Sequence, residues 1–245
     1  MSQKKKIINE YRKSEVADVF DNERKKYLFQ KYKHKIEFNF LKKTIMLFDK
    51  NKKIKILDVA CGTGRMLPEI TRIRKNLEYH GLDSSEEMTF HLKRKAKKMN
   101  FPVNIKIGDA TKLPYGNDTF DLAYTYHLTW HLPVELQIKT ISEMLRVVKD
   151  NGYVLFDTLN SQFLWEKIKF MLGVKKTDGI HKLSVKDVKK FLKDYNYNIE
   201  KLSDFPVKNS FLYSILNIIN KAREILPTNM FHMIFFRVKK KSFNK

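Results

Sequence analysis

The sequence has one cysteine, Cys61, among 245 residues. That excludes an internal disulfide and any zinc or iron–sulfur site built on several thiolates. Eight glycines and six prolines are scattered, with no Pro/Gly/Ser-rich linker, no internal repeat and no low-complexity tract beyond short lysine runs. No run of about 18 apolar residues occurs, so no membrane-spanning helix is expected. The first residues, MSQKKKIINEY, lack the apolar segment of a secretory signal. These absences together predict a reducing, cytoplasmic setting. Arginine is scarce as well, at nine residues against 40 lysines.

What is present suffices for a packed core. Apolar residues make up 42% and aromatics 13%, which excludes wholesale disorder. The length suits a single domain, 1–245. The net charge is +22 and is unevenly spread: residues 1–53 carry +9, 54–160 carry +2 and 161–245 carry +11. Such flanks fit an anionic partner, whether nucleic acid, anionic lipid or a phosphorylated acceptor. They fit equally a lysine-biased solvated surface, because planar bidentate contacts to phosphate or guanine favour arginine.

Hydrophobic periodicity gives the order of elements. Residues 7–49 read as helix, with Ile36, Phe40, Ile45 and Phe48 on one stripe. Strands are expected at 53–58, 78–83, 103–107, 120–125 and 153–157. Helices are expected at 65–75, 86–99 and 135–148, with Ser84 or Ser85 capping the second. A turn at Lys149–Gly152 separates the last helix from its strand. The tail reads as helices at 161–171 and 184–195, a strand at 197–203, an apolar helical segment at 209–224 and a strand at 231–239. Alternation of strand and helix predicts a doubly wound, Rossmann-like, mostly parallel sheet with an antiparallel last strand. An N-terminal helical lid (1–50), a core (51–160) and a C-terminal region with a cap insertion (209–229) complete it. Ligands of such sheets bind beyond the C-terminal strand ends.

The segment ILDVACGTGR, Ile56 to Arg65, is a strand, a glycine turn and a helix start. Gly62 and Gly64 let the backbone turn sharply and approach a ligand. About 20 residues on, a second strand ends at Asp83, suited to ribose hydroxyls. The third glycine of the dinucleotide pattern falls on Leu67, which argues for a ligand with one nucleoside and no diphosphate.

Four further stretches fit the same frame: GLDSSEEM (81–88), GDATKLPYGNDTFDLAYTYHLTWHL (108–132), EMLRVVKDNGYVLFD (143–157) and VADVFDNER (16–24). In order and spacing the chain resembles the class I S-adenosylmethionine-dependent methyltransferases of the small-molecule branch, over roughly residues 15–160. The resemblance implies S-adenosyl-L-methionine as cofactor. It implies that Asp58, Ala60, Gly62, Gly64 and Arg65 surround its methionine part, and that Asp83 binds the ribose. Ser84 and Met88 would flank ribose and adenine. Asp109 and Ala110 would meet the base, and Thr125 and Tyr126 the methionine end.

Past the fourth strand, His127 and His131 are candidate general bases, histidine being suited to neutral pH. Their spacing of four is also that of a helical metal pair, but no third ligand is apparent and no metal is expected. Trp130 is expected to pack. The acceptor is expected to be a small molecule, a lipid or a glycan intermediate, phosphorylated or lipid-linked in keeping with the basic tail. The apolar 209–229 segment would cap a lipophilic acceptor or rest peripherally on a membrane. RNA or protein is the alternative that the charge allows. Residues 124–127, Tyr-Thr-Tyr-His, lack the Asn/Asp-Pro-Pro-aromatic pattern of base amino-group methylation. A non-catalytic cofactor-binding subunit is a third reading.

Overall fold

The computed structural model describes residues 28–164, 180–202, 218–219, 221–222 and 224–241. The lid-like stretch 16–24 lies outside these, as do most of the 161–171 helix and most of the apolar 209–224 segment. Helix α1 is Leu28–Ile45, followed by β1 Ile54–Val59, α2 Leu67–Ile73, β2 Leu77–Asp83, α3 Glu86–Lys98, β3 Val103–Ile107 and β4 Phe120–Thr125. Then come α4 Val134–Val147, β5 Val148–Leu159, α5 Val185–Phe191, β6 Asn196–Leu202 and β7 Met233–Lys239.

The strands form one sheet in the order β3-β2-β1-β4-β5-β7-β6. Strands β1 to β5 pair in parallel. Strand β7 is antiparallel to both β5 and β6. The expected Rossmann-like, doubly wound sheet with an antiparallel last strand is therefore present. The order reverses between β1 and β4, which opens the ligand crevice at their C-terminal ends.

Because side chains alternate along a strand, each central strand feeds two cores. Ile56, Tyr79, Tyr124, Leu155 and Phe235 face α1, α2 and α3. Leu57, Leu82, Ala123, Phe156 and Phe236 face α4 and α5. Helix α1 buries Ile36, Phe40, Leu41 and Ile45, at the three- to five-residue spacing of one helical face. Ser85, not Ser84, caps α3, its hydroxyl accepting the Met88 N–H at 3.2 Å.

The expected turn at Lys149–Gly152 is instead inside β5, which follows α4 directly. A register shift lies between Phe120 and Leu122, and Asn151 sits at φ +61. The extra residues are taken up as an irregularity within the pairing, which breaks the apolar pattern and reads in sequence as a turn. Of the apolar insertion, Ile219 and Leu226 pack on the second core, while Ile218 and Ile225 are exposed. No helix among the described residues is long and apolar enough to cross a membrane.

Candidate functional site

The loop after β1 turns through left-handed backbone at Ala60 (φ 58), Gly62 (φ 51) and Gly64 (φ 70). Only glycine takes that conformation at no steric cost. A Cβ on Gly62 would meet nothing within 4 Å, so the turn faces open space there. A Cβ on Gly64 would lie 2.7 Å from Leu92 Cγ, so that glycine lets the loop pack on α3.

Asp83, at the end of β2, ties this loop to its neighbour. Its Oδ2 accepts the Gly62 N–H at 2.8 Å and its Oδ1 the Ser85 N–H at 2.9 Å. Burial raises the Asp83 carboxyl, and the N–H groups of Ser85, Gly62 and Ser84 work against the rise. A carboxylate so held at the mouth of a strand pair, beside an open glycine turn, suits a ribose diol. Ser84 stands next to it, half-buried. Met88 is buried in α3.

Asp58 is placed differently. It is buried on the α1 side of β1, and its Oδ2 accepts the Tyr79 hydroxyl at 2.6 Å and the Tyr124 hydroxyl at 2.5 Å. Burial pushes its carboxyl up to about 7, against the two tyrosine bonds and Arg65, which pull it down. Thr125 is fully buried at the end of β4, and no group satisfies its Oγ1. An orphaned buried hydroxyl there fits a bound polar ligand. Asp109 is exposed and its Oδ1 takes both the N–H and the hydroxyl of Thr111, each at 2.9 Å, with Ala110 half-buried between them. The glycine turn, the Asp83 carboxylate and the Thr125 hydroxyl thus gather polar groups at the ends of β1, β2 and β4.

Tyr126 and Arg65 turn toward the first helix. The Tyr126 hydroxyl donates to the Glu37 carbonyl oxygen at 3.0 Å. Arg65 Nη1 lies 2.6 Å from Glu37 Oε2 and 2.6 Å from His34 Nδ1. The His34 Nε2 in turn lies 3.0 Å from Glu69 Oε1. Glu37 is fully buried, and its Oε1 lies 2.7 Å from His127 Nε2. Burial alone would raise the Glu37 carboxyl; Arg65, then His127 and Lys33, outweigh it and hold the group well below the usual carboxylate range. Asp157, at the C-terminal end of β5, accepts the His127 backbone N–H at 3.1 and 3.3 Å. Burial and then the charge of Glu37 push the Asp157 carboxyl up to about 8. Gln30, Lys33, His34, Glu37, Arg65 and His127 help line a cavity of about 240 Å³ that α1 shares with α2, α3 and the loops after β1 and β4.

Glu37 and Asp157 are the site residues that pattern reading missed. Both had a signal. Glu37 lies in the same helical stripe as Ile36, Phe40 and Leu41, so a charge falls where the helix is buried. Asp157 lies near the C-terminal end of an apolar strand, as Asp58 and Asp83 do. Together with His127, and without His131, they form a group of three side chains whose potential ligand atoms lie within 4.8 Å of one another. Arg65 on Glu37 and Lys33 beside it supply positive charge already. The ionised Glu37 therefore has protein cations as its counter-charges. His127 and His131 do not form a helical pair: His127 is left-handed (φ 67) and His131 ends a 3₁₀ turn, Thr129–His131. Their rings lie 5.1 and 6.0 Å from that of Trp130, which is buried as expected.

Residues 56–152 match the family model of a methyltransferase domain. The chain is 28% identical over 209 residues to a demethylmenaquinone methyltransferase of Bacillus mycoides, covering 81% of this chain and 84% of that protein. It is 30% identical over 168 residues to the demethylmenaquinone methyltransferase of Bacillus subtilis, covering 67% of this chain and 70% of that one. Among solved structures it is similar to a magnesium protoporphyrin IX methyltransferase from Synechocystis with bound S-adenosylmethionine. The TM-score is 0.66 at 13% identity, over 98% of each chain, a likeness of fold.

Proposed function

The chain belongs to the class I S-adenosylmethionine-dependent methyltransferases, and on that premise we propose that it methylates a small, lipophilic acceptor. Bound S-adenosylmethionine supplies a methyl carbon already activated by its sulfonium. The observation that carries the reading is the Asp83 carboxylate fixed by the Gly62 and Ser85 N–H groups at an open glycine turn. Asp83 would take the ribose hydroxyls, with Ser84 and Met88 nearby. Asp58, Ala60, Gly62, Gly64 and Arg65 would surround the methionine part, with Thr125 and Tyr126 beside it. Asp109 and Ala110 would meet the base.

The protein's part in such a transfer is alignment and exclusion of water. Helix α1 covers the strand ends, and Tyr126 and Arg65 hold it there. His127 and His131 are the candidate bases for an acceptor that must lose a proton.

The small, lipophilic acceptor is supported by the names of the two Bacillus relatives and by the exposed Ile218 and Ile225. All seven described strands share one sheet, which supports a single domain with its acceptor region after residue 160. The test is transfer of labelled methyl from S-adenosylmethionine into a fractionated cell extract. Label in the lipid or small-molecule fraction is the expected result. Label in RNA instead would overturn the acceptor class, and cofactor binding with no label in any fraction would overturn the enzymatic reading.

A further inference from the structure

We infer that Glu37 is a positioning residue that holds His127 as the Nε2–H tautomer, so that Nδ1 is the basic ring atom. The inference rests on the methyl-transfer reading for its chemical purpose, and on geometry for its substance.

An ionised carboxylate only accepts hydrogen bonds. Glu37 Oε2 takes Arg65 Nη1 at 2.6 Å, and Oε1 faces His127 Nε2 at 2.7 Å. Nε2 must therefore carry a hydrogen, and a neutral ring then has its lone pair on Nδ1. The main chain is fixed as firmly as the ring. His127 sits at φ +67, a left-handed conformation uncommon for a side-chain-bearing residue. Its N–H is held there by both oxygens of Asp157. Strain of this kind persists where the surroundings over-determine it, and it gathers at functional sites. Trp130 lies edge-on to the ring at 5.1 Å. Three separate segments, α1, the end of β5 and the loop after β4, thus converge on one imidazole.

Among the described residues, the charged and titratable groups facing Glu37 include Arg65, His127, Lys33, Asp157 and Tyr126. They also explain why the carboxylate is buried at all. Its two oxygens join a loop assigned to the cofactor to a loop assigned to the acceptor, and the joint forms only when α1 is seated. The chemistry served is loss of a proton from an acceptor hydroxyl or acidified C–H. The acceptor's X–H bond breaks and its proton passes to His127 Nδ1. The freed electron pair forms the bond to the methyl carbon, and the carbon–sulfur pair stays on sulfur.

The test is the tautomer itself, read by long-range ¹H–¹⁵N correlation NMR on histidine-labelled protein, with His127→Gln identifying the signals. The wild type at neutral pH is expected to show protonated Nε2 and unprotonated Nδ1. In Glu37→Gln the amide oxygen stays on Arg65 and the NH₂ turns to His127, so Nε2 must accept and the tautomer inverts. The kcat of that variant should fall roughly 10²- to 10⁴-fold, while cofactor affinity by calorimetry changes by less than about threefold because Arg65 keeps its partner. Protonated Nδ1, or a doubly protonated ring, in an active wild type overturns the inference. So does Glu37→Gln with the tautomer unchanged, or with it inverted and kcat intact. A wild type that transfers no methyl overturns the proposed function instead, whatever the spectrum shows.

Discussion

Asp83 and Gly62 stand 21 residues apart in sequence and are joined by one hydrogen bond, the Gly62 N–H to Asp83 Oδ2 at 2.8 Å. The bond connects the loop after β1 to the end of β2. It turns two adjacent strand ends into a single surface, and in the proposed function Asp83 would act twice: once to shape the loop and once to receive the ribose.

Asp83→Ala should therefore abolish S-adenosylmethionine binding and loosen the glycine loop. Isothermal titration calorimetry reads the first effect, and wild-type affinity in that variant would sink the ribose assignment. Loss of the buried acceptor should also cost about 1 to 3 kcal/mol of stability.

The two glycines of the loop should separate on substitution. Gly64→Ala meets Leu92 Cγ at 2.7 Å on top of a φ of +70, so it should cost about 2 to 4 kcal/mol in denaturant unfolding. Gly62→Ala has open space and should cost only about 1 kcal/mol, from backbone conformation. It should instead weaken cofactor binding, because the added methyl enters the cleft. Equal stability losses for the two would contradict the packing difference.

Stability should fall as pH rises from about 4 to 8. Asp58 and Asp157 are raised to about 7 and about 8 by burial. Over that window the unfolded chain has released protons that the native state still holds, and linkage makes the slope negative. Glu37, held low by Arg65, acts at the other end: its contribution is present above the ordinary glutamate range and is lost as pH drops through its lowered pKa. Asp157→Asn should flatten the decline toward pH 8 in urea titrations. An unchanged slope would show that Asp157 ionises normally.

Arg146 should govern the loop that holds Asp109 and Ala110. It donates to Glu143, to the carbonyls of Tyr115 and Leu113 and to Asn117, and Glu143 also accepts the Leu113 N–H at 2.8 Å. Arg146→Ala should raise the cofactor KM several-fold, with kcat within about twofold, since the reacting end is untouched. A kcat loss at constant KM would place the residue elsewhere in the reaction.

Pattern reading found the sheet because its central strands are buried on both faces and end in turns that glycine and acids mark. The cofactor loop was visible for the same reason: Gly62, Gly64 and Asp83 occur at a spacing fixed by strand and turn geometry. The start of the fifth strand was read less well. The irregular pairing around Asn151 looked like a turn because extra residues in one strand break its period of two.

Local order along the chain, strand, turn and helix in sequence, determined the fold class and one wall of the site. The other wall depended on contacts that no local pattern encodes. Glu37 and His127 are 90 residues apart, and Asp157 lies 30 beyond His127. Whether a carboxylate on a helix is solvated or buried against an arginine depends on which face the helix seats on the sheet, and only packing fixes that. A spacing of four would have allowed His127 to pair with His131, a pairing that was not expected. The left-handed turn at His127 and the seated helix pair it with Glu37 instead, because a buried charge must find a partner of opposite sign or a donor, wherever in the sequence that partner lies.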